Sequence, residues 1–248
     1  MSSHSTVAHE PAAAQQARGM SEQSFIRFGG LAGILLAVTS WSAVGEYYAL
    51  VPKAQQLPVT DANAYLVSLH ADPNGTLIFN GLYALLAFWA LIGIVASYYR
   101  IRQAGEAWTL FATLVGAVAA VGTIANGIYQ LANLRYLGAL ATSNPPDALV
   151  TTLFNAPPPT NPLGVMTFAL TGLWFLVVAV LMLRANLPKL LAVLGFVAVA
   201  DLFFGFITAL AGDATLSNYA ALIAGAVGGP LFWLWYGILL LRHKAEQA

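Results

Sequence analysis

The sequence predicts an all-α, polytopic membrane protein of six transmembrane helices, with the N and C termini cytoplasmic. Three observations predict it. Charged residues make up 8% of the 248 and hydrophobic residues 59%. An ordinary soluble domain carries about 25% charged residues, so this chain lacks the charge to cover a water-facing surface. Six continuous apolar stretches reach the ~20 residues that a helix needs to cross a ~30 Å hydrocarbon core. The basic residues alternate by side, as the positive-inside rule demands. Net charge is zero and mean hydropathy is +0.73, so no basic patch is available for nucleic acid.

The six stretches are Phe28–Val51, Thr76–Tyr99, Trp108–Leu131, Pro162–Leu183, Pro188–Ala211 and Asn218–Leu241. None alternates with period two, so they read as helices and not as barrel strands. Residues 1–24 are polar and rich in alanine and serine and read as a disordered cytoplasmic tail. They are not a signal peptide, because the first apolar run is too long for an h-region. Residues 25–244 form the transmembrane domain.

Arg18 and Arg27 precede the first span, Arg100 and Arg102 join spans two and three, Arg184 and Lys189 join four and five, and Arg242 and Lys244 follow six. Only Lys53 and Arg135 fall on the opposite side. The chain is therefore expected as a multi-pass protein of a cell membrane, the bacterial inner membrane in particular, with the lipid bilayer as its first partner. Two long outer loops follow, 52–75 and 132–161. Asn144-Pro145-Pro146 and Pro157-Pro158-Pro159 exclude regular helix from parts of the second. A short interfacial helix is expected around Asp147–Phe154. Loops of this length carry function, cover a cavity or dock a partner, or are tolerated insertions.

The chain has no cysteine, which excludes disulfides, thiolate metal sites and iron–sulfur clusters. The four histidines, His4, His9, His70 and His243, all lie outside the apolar runs. No cofactor and no catalytic residue is assigned, and the phosphate-loop, zinc-protease and serine-hydrolase motifs do not occur.

Polar residues within the spans are the informative ones, because each is costly in lipid unless it faces protein or water. Span one offers Thr39, Ser42 and Glu46 at helical spacing, and span three offers Thr123, Asn126, Gln130 and Asn133. Asn80 and Tyr83 lie on span two, Thr167 and Thr171 on span four, and Asp201, Gly205 and Thr208 on span five. By depth, most of these fall in the outer half of the bilayer and Asp201 near its middle. They predict a polar cavity open to the outside, with Asp201, Asn126, Gln130, Asn80, Glu46 and Thr208 as ligand-binding residues. At mid-depth a carboxylate pays heavily for its charge, which suits Asp201 to reversible proton binding; a helix-gluing hydrogen bond is the structural alternative. Glu46 beside Tyr47 and Tyr48 also reads as an interfacial residue reaching for water. Gly225, Gly228, Gly229 and Pro230 allow a kink or a close helix crossing in span six.

Two functions fit. One is binding or transport of a small or lipidic molecule, with a proton linked through Asp201. The other is a non-catalytic accessory subunit of a larger membrane complex, or a homo-oligomer, packing through glycine-rich faces.

Phe25-Ile26-Arg27-Phe28-Gly29-Gly30-Leu31-Ala32-Gly33, Gly81-Leu82-Tyr83-Ala84-Leu85-Leu86 and the turn Arg100-Ile101-Arg102 resemble bacterial membrane proteins of the DUF4386 type. The likeness covers the first half of the chain and implies six or seven spans. It carries over no activity and no catalytic residue.

Overall fold

The computed structural model describes residues 12–56, 59, 61–140, 142 and 159–243. Those residues are helical with no strand among them, and six helical stretches are long and apolar enough to cross a membrane. Helix α1 runs Ala12–Ala49, α2 Ala62–Ala71, α3 Asn74–Ile101 and α4 Glu106–Leu140. Span four begins with a π-helical segment, π1 (Val165–Leu170), and continues as α5 (Thr171–Arg184). Helix α6 is Lys189–Leu210. Span six is broken into α7 (Ala214–Ile223), a second π-helical segment, π2 (Ala224–Gly228), and α8 (Gly229–Leu241).

Two boundaries differ from expectation. Helix α1 starts at Ala12, inside the stretch read as a disordered tail. Its first turns are polar but hold no proline after Pro11 and alanine is frequent, so propensity favours continuing the helix. At the other end, α4 runs on to Leu140, nine residues past the expected Leu131. Its 35 residues span roughly 50 Å, well beyond a hydrocarbon core. The loop 52–75 contains α2. The helix expected around Asp147–Phe154 lies outside the described residues.

α2 starts where Asp61 accepts a hydrogen bond from the Ala64 N–H (2.9 Å), and α7 where Asp213 accepts from the Leu216 N–H (2.9 Å). Tyr65, Leu66 and Leu69 of α2 bury against Leu134 on the extension of α4, a satellite core separate from the main one. Buried Gln55 ties this region together. Its Nε2 donates to Ser68 Oγ (3.0 Å) and to the Asp72 carbonyl (2.9 Å), and its Oε1 accepts from Thr76.

The spans close into a ring in chain order: α1 on α3, α3 on α4, α4 on π1 and α5, α5 on α6, α6 on span six, and span six back on α1. One end of the ring collects the cations. There Arg102 pairs with Glu22 (2.7 Å), Gln23 donates to the His243 carbonyl (3.4 Å), and Gly105 approaches Leu181. We call this the basic end and its opposite the far end. The two ends of the described chain thus meet at one end of the bundle, as an even number of crossings requires.

Glycine sets the closest crossings. A Cβ on Gly30 would sit 2.6 Å from the Gly237 carbonyl oxygen, and a Cβ on Gly237 would sit 2.6 Å from that of Gly30, so α1 and α8 touch backbone to backbone. Gly29 packs against the Ala96 methyl group on α3, and Gly127 of α4 against that of Ala84. The main core fills the basic half with Trp174, Phe175, Met182, Phe232, Trp233, Tyr236 and Leu240. The outward faces expose Phe88, Val118, Val197, Ile207 and many other large apolar side chains, a surface suited to lipid and not to water.

Candidate ligand cavity

Inside the ring, between the aromatic core and the far end, lies a cavity of about 330 Å³. All six spans contribute to its wall. Its floor is a parallel stack of the Trp174 and Trp233 indoles, with ring centroids 5.1 Å apart and planes 6° from parallel. Both indoles fit because glycine stands opposite. A Cβ on Gly93 would meet the Trp233 ring at 2.6 Å, and one on Gly116 would meet Trp174 Cδ1 at 2.5 Å. The remaining wall is largely apolar, including Leu36, Phe79, Leu86, Ile94, Phe168 and Leu202.

One polar cluster interrupts it, organised by π1. The chain enters span four through Asn161, Pro162, and two residues with positive φ, Leu163 (53°) and Gly164 (69°). This sharp entry folds buried Asn161 back over the first turn. Its Oδ1 accepts from the Met166 N–H (2.8 Å), and its Nδ2 donates to Thr167 Oγ1 (2.8 Å). The Asn161 side chain thus caps an N–H that the helix start leaves unpaired. Thr167 Oγ1 also lies 2.7 Å from the Tyr83 hydroxyl and 3.4 Å from Thr123 Oγ1. Thr123 donates back to the Ala119 carbonyl (2.9 Å), and Thr171 donates to the Met166 carbonyl (3.0 Å). Tyr83, Thr123, Asn161, Thr167 and Thr171 all border the cavity.

The second π segment borders the cavity from the other side, through Ala224 and Gly225. Its origin is chemical. Pro230 has no N–H, so the Ala226 carbonyl four residues earlier and the Gly225 carbonyl five residues earlier lose their donor in α and π register respectively. α1 supplies replacements: Ser40 Oγ donates to Gly225 O (2.7 Å), and Trp41 Nε1 donates to Ala226 O (2.9 Å). Segments of π-helix occur frequently at functional sites. Here two of them face one cavity.

The six residues expected to bind ligand stand elsewhere. None of Asp201, Asn126, Gln130, Asn80, Glu46 or Thr208 is among the cavity-lining residues. Asn80 donates to Thr76 O (2.8 Å) one turn back in its own helix, and Thr208 donates to Phe204 O (2.9 Å) and lies 3.0 Å from Gly205 O. Asn126 is buried and accepts from Thr160 (3.4 Å), just beyond the polar cluster. Asp201 is half-buried on α6, between its buried face and its lipid-facing face, and one of its carboxyl oxygens is covered without a hydrogen-bond partner among the described residues. Both carboxyl oxygens of Glu46 are in the same condition, so neither pairs with Lys53 or Arg135. A cavity lies in the far-end half, but it is mainly apolar and Asp201 is not among the residues that line it.

Of the residues that form the cluster, Tyr83, Thr123, Thr167 and Thr171 were visible as intramembrane polar groups. Asn161 and Ser40 were not singled out. The signal for Asn161 was its place directly before Pro162 at a helix start, a position that favours a side-chain cap. For Ser40 it was only that Thr39 and Ser42 flank it on the same turn. No group of three or more metal-ligating side chains occurs among the described residues. Compared with known proteins, the chain matches no family model, no curated protein and no solved structure.

Proposed function

We propose that this chain is an integral membrane protein that binds one small lipidic molecule in the cavity between its spans. The observation that carries the reading is the joining of an apolar chamber to one compact set of hydroxyl and amide groups, Tyr83, Thr123, Asn161 and Thr167. Ligand sites have this composition: predominantly apolar walls, with a few placed polar groups that fix orientation. A volume of about 330 Å³ falls at the small end of the ~300–1,000 Å³ usual for such sites. The cation distribution supports a cytoplasmic basic end, and with it a polar cluster in the outer half of the membrane. Kinship with the DUF4386-type proteins is proposed on the glycines of α1, two of which make the closest contacts with α3 and α8.

The test is purification in a mild detergent, followed by solvent extraction and mass spectrometry of bound lipids. One lipid species is expected near equimolar ratio with the protein, and it should be depleted in Thr167→Val. A wild-type extract holding only the bulk membrane lipids, in the same proportions as the Thr167→Val extract, counts against the reading.

A further inference from the structure

Span six parts from α1 at the level of π2. Toward the basic end, α8 packs along α1, and π2 is joined to α1 by the Ser40 and Trp41 hydrogen bonds. Toward the far end, α7 packs on α6 and leaves α1. Yet both partners of this separation still border the cavity: Val44 and Tyr47 from α1, Ala221 and Leu222 from α7. Ala221 is also exposed at the protein surface, so it stands on a rim and not on a sealed wall. The rim lies within the stretch of span six that is apolar enough to cross a membrane, Thr215–Leu241. At Ala221 the wall between cavity and surface is therefore one residue thick, at membrane depth.

The chemistry of the wall limits what can pass through. Among the described residues, no aspartate, glutamate, histidine, lysine or arginine lines the cavity. A charged group brought inside would find no countercharge, and burying an unpaired charge is prohibitively costly. The polar cluster is instead suited to a neutral oxygen. Thr167 accepts from Asn161, while Thr123 commits its proton to Ala119 O. The proton shared between Tyr83 and Thr167 has two arrangements. If Tyr83 donates to Thr167, the Tyr83 lone pairs face a ligand hydroxyl; if Thr167 donates to Tyr83, the Tyr83 O–H meets a ligand carbonyl.

Resting on the binding reading above, we propose that the occupant is an uncharged amphiphile with a hydroxyl or carbonyl head, taken sideways from the membrane through the gap between α1 and α7. The gap is also the device's control point. Pro230 places the parting of the helices, and the two hydrogen bonds from α1 fix its depth.

The absence of cysteine from the chain makes a direct test available. Val44→Cys with Leu222→Cys is bridged by a reducible bis-methanethiosulfonate linker in the full-length protein in nanodiscs. The probe is a hexadecanol analogue bearing a diazirine in its chain, delivered from vesicles, with photo-adducts mapped by mass spectrometry. Bridging is expected to slow labelling of the peptides holding Tyr83 and Thr167 at least tenfold, with recovery on reduction. Probe loaded before bridging should stay and label the same peptides. Tyr47→Cys with Asn218→Cys repeats the test should the first pair misfold. Unchanged loading after bridging overturns sideways entry and leaves the binding reading standing. Equal labelling by the matching hexadecanoate or hexadecylammonium probe overturns the neutral class. Absence of saturable labelling in the unbridged protein overturns the binding reading itself.

Discussion

The hydroxyls of Tyr83 and Thr167 lie 2.7 Å apart, a hydrogen bond that joins α3 to π1 across 84 residues of sequence. Among the described residues it is the shortest hydrogen bond of the cavity's polar cluster. Tyr83→Phe keeps the ring and removes the bond. The fold is expected to survive, because Thr167 retains Asn161 as a donor. Affinity for hexadecanol, measured by competition against its diazirine analogue, should fall about tenfold, the equivalent of a net hydrogen bond of ~1–1.5 kcal/mol. An affinity equal to wild type contradicts the assignment of Tyr83 to the ligand head.

The mutual approach of Gly30 and Gly237 predicts a sharp contrast among glycines of α1. Gly30→Ala places a methyl group 2.6 Å from a backbone oxygen that cannot move without shifting α8. Overpacking of this kind costs on the order of 1–3 kcal/mol, so thermal unfolding in detergent should drop by several degrees. Gly45→Ala is the control: nothing lies within 4 Å of its Cβ, and alanine favours the helix. Its melting temperature should be unchanged or slightly raised. Equal destabilisation by both changes would show that the crossing is not set by glycine.

Pro230 predicts the shape of span six. Pro230→Ala restores an N–H that can recapture the Ala226 carbonyl, in competition with Trp41. Span six should straighten toward α1. Spin labels on Val44→Cys and Leu222→Cys, read by pulsed electron resonance, should report a shorter distance in the Pro230→Ala background than with proline in place. An unchanged distance means that packing of α7 on α6, and not the missing donor, sets the separation.

Tyr65 gives the pH dependence of the α2 docking site. Burial between α2 and the extension of α4 pushes its phenol up to about 12, from an ordinary 10. The sign follows from linkage. An undocked Tyr65 would release its proton near 10 and the docked one only near 12, so docking is fully supported below pH 10 and weakens as pH rises through 12. The difference between the phenolate absorbance titrations of wild type and Tyr65→Phe should have its midpoint near 12. A midpoint at 10 would show that α2 is not packed on α4.

The six crossings were legible in the sequence because each is a continuous apolar run with cations at alternate ends, and hydrocarbon admits little else. Their ends were less legible. Residues 12–20 carry helix-favouring alanine, and residues 132–140 carry Leu134, which buries against α2; neither feature reads as membrane. Span six announced its break through Gly225, Gly228, Gly229 and Pro230, though not the partners that answer it on α1. The cavity residues were half legible. Depth could be read from position, and it placed Thr167 and Thr171 in the outer half. Azimuth could not: Thr39, Ser40 and Ser42 share a turn of α1, and only Ser40 reaches Gly225. Asn126 and Thr123 are three residues apart on one face, and only Thr123 borders the cavity. Which face meets the cavity is decided by neighbours as far as 185 residues apart in sequence, and no spacing rule contains that information.

The central claim is that a neutral lipid occupies the space above the Trp174–Trp233 stack. Its most direct measurement is photolabelling of the wild-type protein in nanodiscs with the diazirine analogue of hexadecanol, titrated against unlabelled hexadecanol. Saturable adducts confined to the peptides of Tyr83, Thr123 and Thr167, and displaced by the competitor, are predicted. Adducts spread over the lipid-facing residues, such as Phe88, Val118 and Ile207, that grow linearly with probe and ignore the competitor would contradict it.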